Sequence, residues 1–345
     1  HVGRDPAARG GLPAGGGAAR PRTGLVSGPD SPRPIVVVSE CLELAAVRYN
    51  GQSIRAPFIR SLEPHVELRP ICPEVSIGLG VPRDPIRIVE SGGQRRLVQP
   101  STGRDLTTEM VRFSEGFLSS VGEVDGFILK SRSPSCGIKD TKIHSGPEGP
   151  PVGKDAGFFG KAVLERFPNA AVEHEGRLTN LRLRHHFLTA LFTWARFRGL
   201  RSDPSAAALV RFHAANKLLL MGHDETAMRS LGRIVARQSD GPLEQSVSEY
   251  EIGLARALAR PVRTGATINA LMHALGFFKD VLSTAEKTHF LDTLAAYRAE
   301  RVGVEAPLAL LRSWVARTGE EWLRDQTLFS PYPEALMDLR DSGRS

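Results

Sequence analysis

The chain is poor in cysteine, has no apolar run long enough to cross a membrane and shows no internal repeat. Three cysteines in 345 residues do not make a disulfide framework, and their odd number points to a reducing cytoplasm. Without a membrane-length stretch, and with 41% hydrophobic and 24% charged residues, the composition is that of a soluble globular protein. The length exceeds one ordinary core and predicts two domains. No Cys-x-x-Cys pair is present, so spacing alone marks no metal site. Gly78-Leu-Gly80 and Gly92-Gly93 are followed by no helix start and so are not a dinucleotide fingerprint. Residues 1–33, mainly Gly, Ala, Pro and Arg, lack the apolar core of a secretory signal and are expected to be a disordered tail.

What is present falls into two halves. Over 34–175, apolar runs at Ile35–Val38, Val66–Ile71, Ile86–Val89 and Phe127–Leu129 alternate with helical spacing, clearest at Thr107–Val121. That alternation predicts an α/β domain with a mostly parallel, Rossmann-like sheet. Gly and Pro cluster at Pro70–Pro85 and Gly146–Gly160, as in long loops that carry a site. Beyond a basic connector helix at 176–200, strand signals stop, and 201–345 is expected to be all-α. Asp203-Pro204 is read as a helix start running through Leu220, Asp224 as a cap, and Gly241-Pro242 as a start reaching Ala259. Thr264–Val281 is amphipathic, and Ser283-Thr-Ala-Glu286 is a capping box. Helices over Pro307–Arg317 and Glu320–Leu328 complete the run.

The formal net charge is +7, and all of it lies between Arg177 and Lys217. Arg177, Arg182, Arg184, Arg196, Arg198, Arg201, Arg211 and Lys217 stand there against Asp203 alone. Aromatics and histidines are interleaved with them. Such a stripe is either the footprint of a polyanion site or a solvated helix face with core aromatics behind it.

Each cysteine follows an apolar run: Pro34-Ile-Val-Val-Val-Ser-Glu-Cys41, Val66-Glu-Leu-Arg-Pro-Ile-Cys72 and Gly126-Phe-Ile-Leu-Lys-Ser-Arg-Ser-Pro-Ser-Cys136. In open α/β sheets ligands sit beyond the carboxyl ends of the strands, so three thiols are expected at that edge. Soft sulfur donors fit zinc, copper(I) or an iron–sulfur cluster. Zinc would need a fourth ligand, with His144 the nearby choice. A cubane cluster on three cysteines leaves one iron open as a Lewis acid. Glu74, beside Cys72, is a candidate general acid/base. Ser133 and Ser135, beside Cys136, are candidate nucleophiles or substrate donors. Arg48, Arg132 and Lys139 could steady an anion, and Ser131, in the loop before Cys136, is a further candidate substrate contact.

Cys41 with Val47-Arg-Tyr-Asn-Gly51, Cys72-Pro-Glu-Val-x-x-Gly78, Gly103-Arg-Asp-Leu-Thr107 and Ser131-Arg-Ser-Pro-Ser-Cys-Gly137 resemble, in that order, the motifs of the TudS-type desulfidases. The resemblance covers about 34–175. The first loop departs from it, reading Cys-Leu-Glu-Leu-Ala-Ala where many relatives have Cys-Leu-Leu-Gly. It implies a [4Fe–4S] cluster on Cys41, Cys72 and Cys136, with Glu74 and Ser133 as the catalytic pair. Phe212–His223, Asn269–Lys279 and Pro331-Tyr-Pro-Glu334 resemble the YbgA-type helical domain often fused behind such a domain. The fused RudS-like arrangement implies removal of sulfur from 4-thiouridine in tRNA. Arg182, Arg184, Arg196, Arg198, Arg201, Arg211, Lys217 and Lys279 are then the expected RNA contacts. Free thiouracil or a thionucleoside is the alternative substrate. A nucleic-acid-binding redox sensor without turnover is a further alternative.

Overall fold

Pro34 holds the chain extended into Ile35-Val-Val-Val-Ser39, whose β-branched side chains suit a pleated, buried surface, and this run forms strand β1 (Ile35–Ser39). The computed structural model describes residues 32–337. The expected tail at 1–33 thus lies outside the described residues except for Pro32 and Arg33, and so does 338–345 of the helical half. Arg33 donates to the Glu63 and Val66 carbonyls, at 3.1 and 2.8 Å.

After β1 come α1 (Pro57–Leu62), β2 (Glu67–Ile71) and the one-turn α2 (Pro73–Ser76). A hairpin follows, β3 (Arg87–Ser91) and β4 (Gln94–Gln99), turning on Gly92-Gly93, both with positive φ. Then come β5 (Arg104–Asp105), α3 (Thr107–Ser120), β6 (Gly126–Leu129), β7 (Thr141–His144), β8 (Pro151–Asp155), α4 (Phe158–Arg166) and β9 (Ala171–His174). The order β2-β1-β6-β9 makes an all-parallel sheet. A second, mixed sheet runs β5-β4-β3-β7-β8, so the apolar run at Ile86–Val89 joins a different sheet from the other three runs.

From Leu181 the described chain is helical: α5 (Leu181–Ser202), α6 (Ala206–His223), α7 (Glu225–Ala236), α8 (Leu243–Leu258), α9 (Thr264–Gly276), α10 (Thr284–Arg298), α11 (Glu305–Thr318) and α12 (Glu321–Arg324). The caps at Asp224 and the Ser283–Glu286 box form as read from sequence. Ser205, not Asp203, caps α6, because its hydroxyl accepts the Ala208 N–H while Asp203 closes α5. Thr264–Val281 holds a shorter helix than expected, ending at Gly276. Only one turn of Glu320–Leu328 is α-helical.

The parallel sheet is buried on both faces. Val36 and Val38 of β1 and Ile128 of β6 join a core with α5 and the helices beyond it. Val37, Phe127 and Leu129 point the other way, into a core with α3, α4 and the second sheet. All six are fully buried, the period-2 pattern of a strand between two layers. The stretch read as a connector is therefore a core helix. Phe187, Leu188, Leu191 and Trp194 of α5 pack into the first core, each contributing about 1.5–3 kcal/mol by burial. A Cβ on Gly126 would stand 2.8 Å from Leu191, which shows how closely α5 approaches β6.

Candidate active site

Because β1, β2, β6 and β9 run parallel, their carboxyl ends open on one edge. Cys41 follows β1. Cys72 follows β2 and stands at the N-cap of α2, with Pro73 at the first helical position. Cys136 sits in the Ser-Pro-Ser loop after β6. All three thiols, with Arg48, Glu74, Ser131, Arg132 and Ser133, line one cleft of about 380 Å³. Ser135 is fully buried behind it. Lys139 is exposed and is not among the lining residues.

The loop that carries Cys136 is braced from behind. The first turn of α4 would leave amide donors unpaired, and the loop supplies the acceptors. Gly157 donates to the Gly137 carbonyl (2.7 Å), Phe158 to Pro134 (3.0 Å) and Gly160 to Ser135 (2.9 Å). The approach requires glycine at 160, where a Cβ would fall 2.2 Å from the Gly137 oxygen.

Burial pushes all three thiols up, Cys41 to about 12 with the neighbouring Cys72 adding to it and Lys130 opposing. Beside Cys136 the Ser39 hydroxyl offsets part of the effect. Sulfurs so placed ionise only for a cation that replaces their protons. Among the described residues, no group of three His, Cys, Asp or Glu side chains converges on a single ion. The lining of the cleft holds these three cysteines and no histidine, a donor set that fits an iron–sulfur cluster better than a closed zinc site of four Cys or His ligands. His144, the sequence candidate for a fourth zinc ligand, donates its Nδ1–H to the Gly149 carbonyl (2.9 Å) and does not line the cleft.

Glu74 is held from three sides. Arg83 donates Nε and Nη2 to Oε2, at 2.9 and 2.7 Å. Ser135 donates to Oε1 at 3.0 Å, and Ser133 at 3.5 Å. Ser133 Oγ also accepts the Ser135 and Cys136 amides (3.2 and 3.1 Å), which aims its single proton at the carboxylate. Ser133 thus faces the cleft, and Ser135 fixes Glu74 from the interior. Ser131 belongs to a second cluster. Lys130 Nζ donates to Glu175 (2.6 Å) and to the Ser131 hydroxyl (2.8 Å), and Ser131 donates to Glu175 (2.7 Å). Burial raises the Glu175 carboxyl, but the Lys130 and Ser131 hydrogen bonds outweigh it and hold the group below its ordinary value. Arg48 stacks over the exposed Tyr49 ring at the cleft wall (5.4 Å). Arg132 takes a positive φ and donates its amide to Asp140. In the departing first loop, Glu43 also has positive φ and is tied through its carboxylate to Arg60 and the Ala56 amide.

Sequence reasoning missed Arg83, Lys130 and Glu175. Arg83 had a signal in Pro82-Arg-Asp-Pro85, inside the Pro-rich loop already marked as site-bearing. Glu175 had none, because the strand before it, Ala-Val-Glu-His, carries no apolar run.

The basic stripe does not emerge as one exposed face. Arg184 is buried. Arg196 is enclosed between α5 and the Pro331 carbonyl, and burial lowers it to about 10. Arg198 pairs with the buried Asp125 (3.0 Å), and Arg201 pairs with Glu123 and Glu251. Arg182 is exposed and donates to the Val262 carbonyl. Arg211, Lys217 and Lys279 are exposed.

Comparison with known proteins divides the chain along the same line. Residues 36–175 match the 2-thiouracil desulfurase family, and 217–333 match a family of unknown function, DUF1722. The uncharacterized protein YbgA of Escherichia coli K12 is 27% identical over 137 residues, covering 39% of this chain and 80% of its own. The uncharacterized protein YbbK of Bacillus subtilis 168 is 31% identical over 110 residues, 30% of this chain and 73% of its own. A solved structure described as a [4Fe-4S]-dependent thiouracil desulfidase TudS is 32% identical. It aligns 42% of this chain with 93% of its own, at a TM-score of 0.34.

Proposed function

The chain belongs to the 2-thiouracil desulfurase family, and from that premise we propose that it removes sulfur from 4-thiouridine in tRNA, leaving uridine and sulfide. The observation that carries this reading is the joint placement of three thiols, Glu74 and Ser133 on one cleft. Cys41, Cys72 and Cys136 would hold a [4Fe–4S] cluster. When bound, the cluster supplies an iron without a protein ligand, a Lewis acid for thiocarbonyl sulfur.

The chain's own residues do the rest. Glu74 Oε1 takes a proton from water, or from the Ser133 hydroxyl that points at it, as the oxygen attacks the carbon bearing sulfur. Arg83 and Ser135 keep the carboxylate oriented. Water adds its oxygen to that carbon, the C–S bond breaks, and sulfur leaves as sulfide with the protons of water; no electrons are exchanged. Arg48 and Arg132 line the cleft with positive charge that favours an anionic leaving group and a nucleic-acid backbone. The exposed Arg211, Lys217 and Lys279 of the helical half support an RNA substrate. Among the described residues no helix is long and apolar enough to cross a membrane, and the reading places the reaction in the cytoplasm.

A second reading, free thiouracil or a thionucleoside as substrate, is favoured by one observation: much of the basic stripe is spent on internal pairs. One experiment separates the two. The protein is reconstituted with iron and sulfide under anaerobic conditions and incubated with thiolated tRNA and with 4-thiouracil, following loss of the thiocarbonyl absorbance. The proposal expects loss with the tRNA. Loss with the free base alone replaces it by the second reading, and no loss with either, the cluster being intact, removes both.

A further inference from the structure

The cysteine cleft has an aromatic residue at its mouth that the reaction itself does not use. Tyr49 lines the cleft and is 42% exposed, whereas Cys72 and Cys136 on the same cleft are 9% and 5% exposed. A single exposed apolar side chain needs no explanation. Tyr49 is set apart by how firmly its backbone is held. The Arg48 amide donates to the Gln52 carbonyl (3.2 Å) and the Gly51 amide to the Arg48 carbonyl (2.9 Å). Gly51 completes this turn at a positive φ that disfavours other residues. The Arg83 amide donates to the Tyr49 carbonyl (2.7 Å), and Arg83 Nη1 donates to the Val47 carbonyl (3.0 Å). The same arginine holds Glu74. One residue thus fixes the aromatic and the carboxylate relative to each other.

The surroundings of the ring suit a nucleic acid. The Arg48 guanidinium lies over it, 5.4 Å from the centroid. Among the described residues, neither Arg48 nor Arg132 has an acidic side chain paired with its guanidinium, and both line the cleft. Unpaired cations beside an exposed aromatic ring are what single-stranded nucleic acid takes, charge for its phosphates and a π-face for its bases.

The difference in exposure decides which base. A base that reaches the buried thiols passes Tyr49, and its neighbours in the strand stay at the mouth. Turning that base out has broken its stacking on those neighbours, which leaves a base face uncovered. We propose that Tyr49, backed by Arg48, stacks on the base next to the thiolated nucleotide and so selects a thiolated base within RNA over the free base. This specificity role rests on the reading that the cleft removes sulfur from a thiolated base.

The test compares the cluster-loaded parent with Tyr49→Ala and Tyr49→Phe. The substrates are 4-thiouridine, a short single-stranded RNA with one central 4-thiouridine, and the same RNA with abasic residues on both sides of it. Turnover gives kcat and KM, and fluorescence anisotropy gives Kd for the matching RNA with a central uridine, which is not turned over. Tyr49→Ala is expected to raise KM and Kd for the RNA by about five- to hundredfold with kcat unchanged. Tyr49→Phe, which keeps the ring, should behave as the parent. The nucleoside should be handled alike by all three, and so should the RNA with abasic neighbours. An unchanged KM and Kd for the RNA in Tyr49→Ala overturns the proposal. So does an equal loss with the nucleoside, which would put the ring on the reacting nucleotide itself, or a loss that persists with abasic neighbours. Turnover of the nucleoside without RNA binding overturns the stacking role and leaves sulfur removal standing. RNA binding that depends on Tyr49 and on the neighbouring bases, with no turnover of any substrate, does the reverse.

Discussion

Cys41, Cys72 and Cys136 lie 31 and 64 residues apart and meet in one cleft, whereas the cations of Arg177–Lys217 are neighbours in sequence and are dispersed in space. The contrast comes from the elements that carry them. Parallel strands bring the residues after their carboxyl ends to a single edge whatever the sequence separation. A helix does the reverse, turning successive residues around its axis. With α5 packed on the sheet, its cations are sent to the interior, to Asp125, to Glu123 and Glu251, or to solvent. Distance along the chain is thus a poor guide to a shared site, and the element is a better one.

The comparison can be broken most sharply at the cysteines. Cys72→Ala should abolish cluster loading, read as bound iron and as charge-transfer absorbance. Glu74→Ala should keep the cluster and slow turnover by about 10²–10⁴. Retained loading without Cys72 would mean that the three thiols do not act together.

The next largest effect is expected on the dispersed side. Arg198→Ala strands Asp125, 4% exposed, without its partner, and should cost about 3 kcal/mol in chemical denaturation. An unchanged midpoint would return Arg198 to the set of free cations.

Behind the cleft, Gly160→Ala forces a methyl group against the Gly137 carbonyl. It should cost about 1–3 kcal/mol and lower cluster occupancy, measured as iron per chain. Normal occupancy would show that α4 does not hold the Cys136 loop in place.

Acid should separate the halves. Burial lowers His186 from 6.5 to about 4 and His223 to about 3. In the folded chain both rings stay neutral as pH falls below 6.5, while the unfolded chain takes up protons. The stability they contribute is therefore complete above about pH 6.5 and is lost toward pH 4, on the order of 2 kcal/mol per ring by pH 5. Urea midpoints at pH 7 and pH 5 should differ accordingly, and His186→Phe should reduce the difference. An equal difference in that variant would place the acid sensitivity elsewhere.

The smallest effect concerns the cations left in solvent. Replacing Arg211, Lys217 and Lys279 by alanine should leave thermal stability unchanged. It should flatten the log–log salt dependence of tRNA binding by about 0.7–0.9 for each cation that had neutralised a phosphate. An unaltered slope would take these residues out of the interface.

Much of this was legible in the residues. Strands β1, β2 and β6 announced themselves through Val, Ile, Leu and Phe in short runs, and the thiols through their places just after those runs. The second sheet was hidden because β4 begins Gln-Arg-Arg and β8 includes Gly153 and Lys154, which give no apolar signal. Arg83 and Glu175 became site residues only through long-range placement. The cations of α5 misled because formal charge does not record which carboxylates wait across a core. Asp125, 73 residues away from Arg198, is visible as a partner only once the sheet is built.

One consequence of the two-faced sheet concerns the joining of the two halves. The strand that delivers Cys41 has Val36 and Val38 under the helices and Val37 under the second sheet, so no side of it is wet. A chain cut near residue 176 would bare Val36, Val38, Ile128 and the inner stripe of α5 at once. For this molecule, separating the catalytic half from its helical companion is a question of solubility before it is one of substrate.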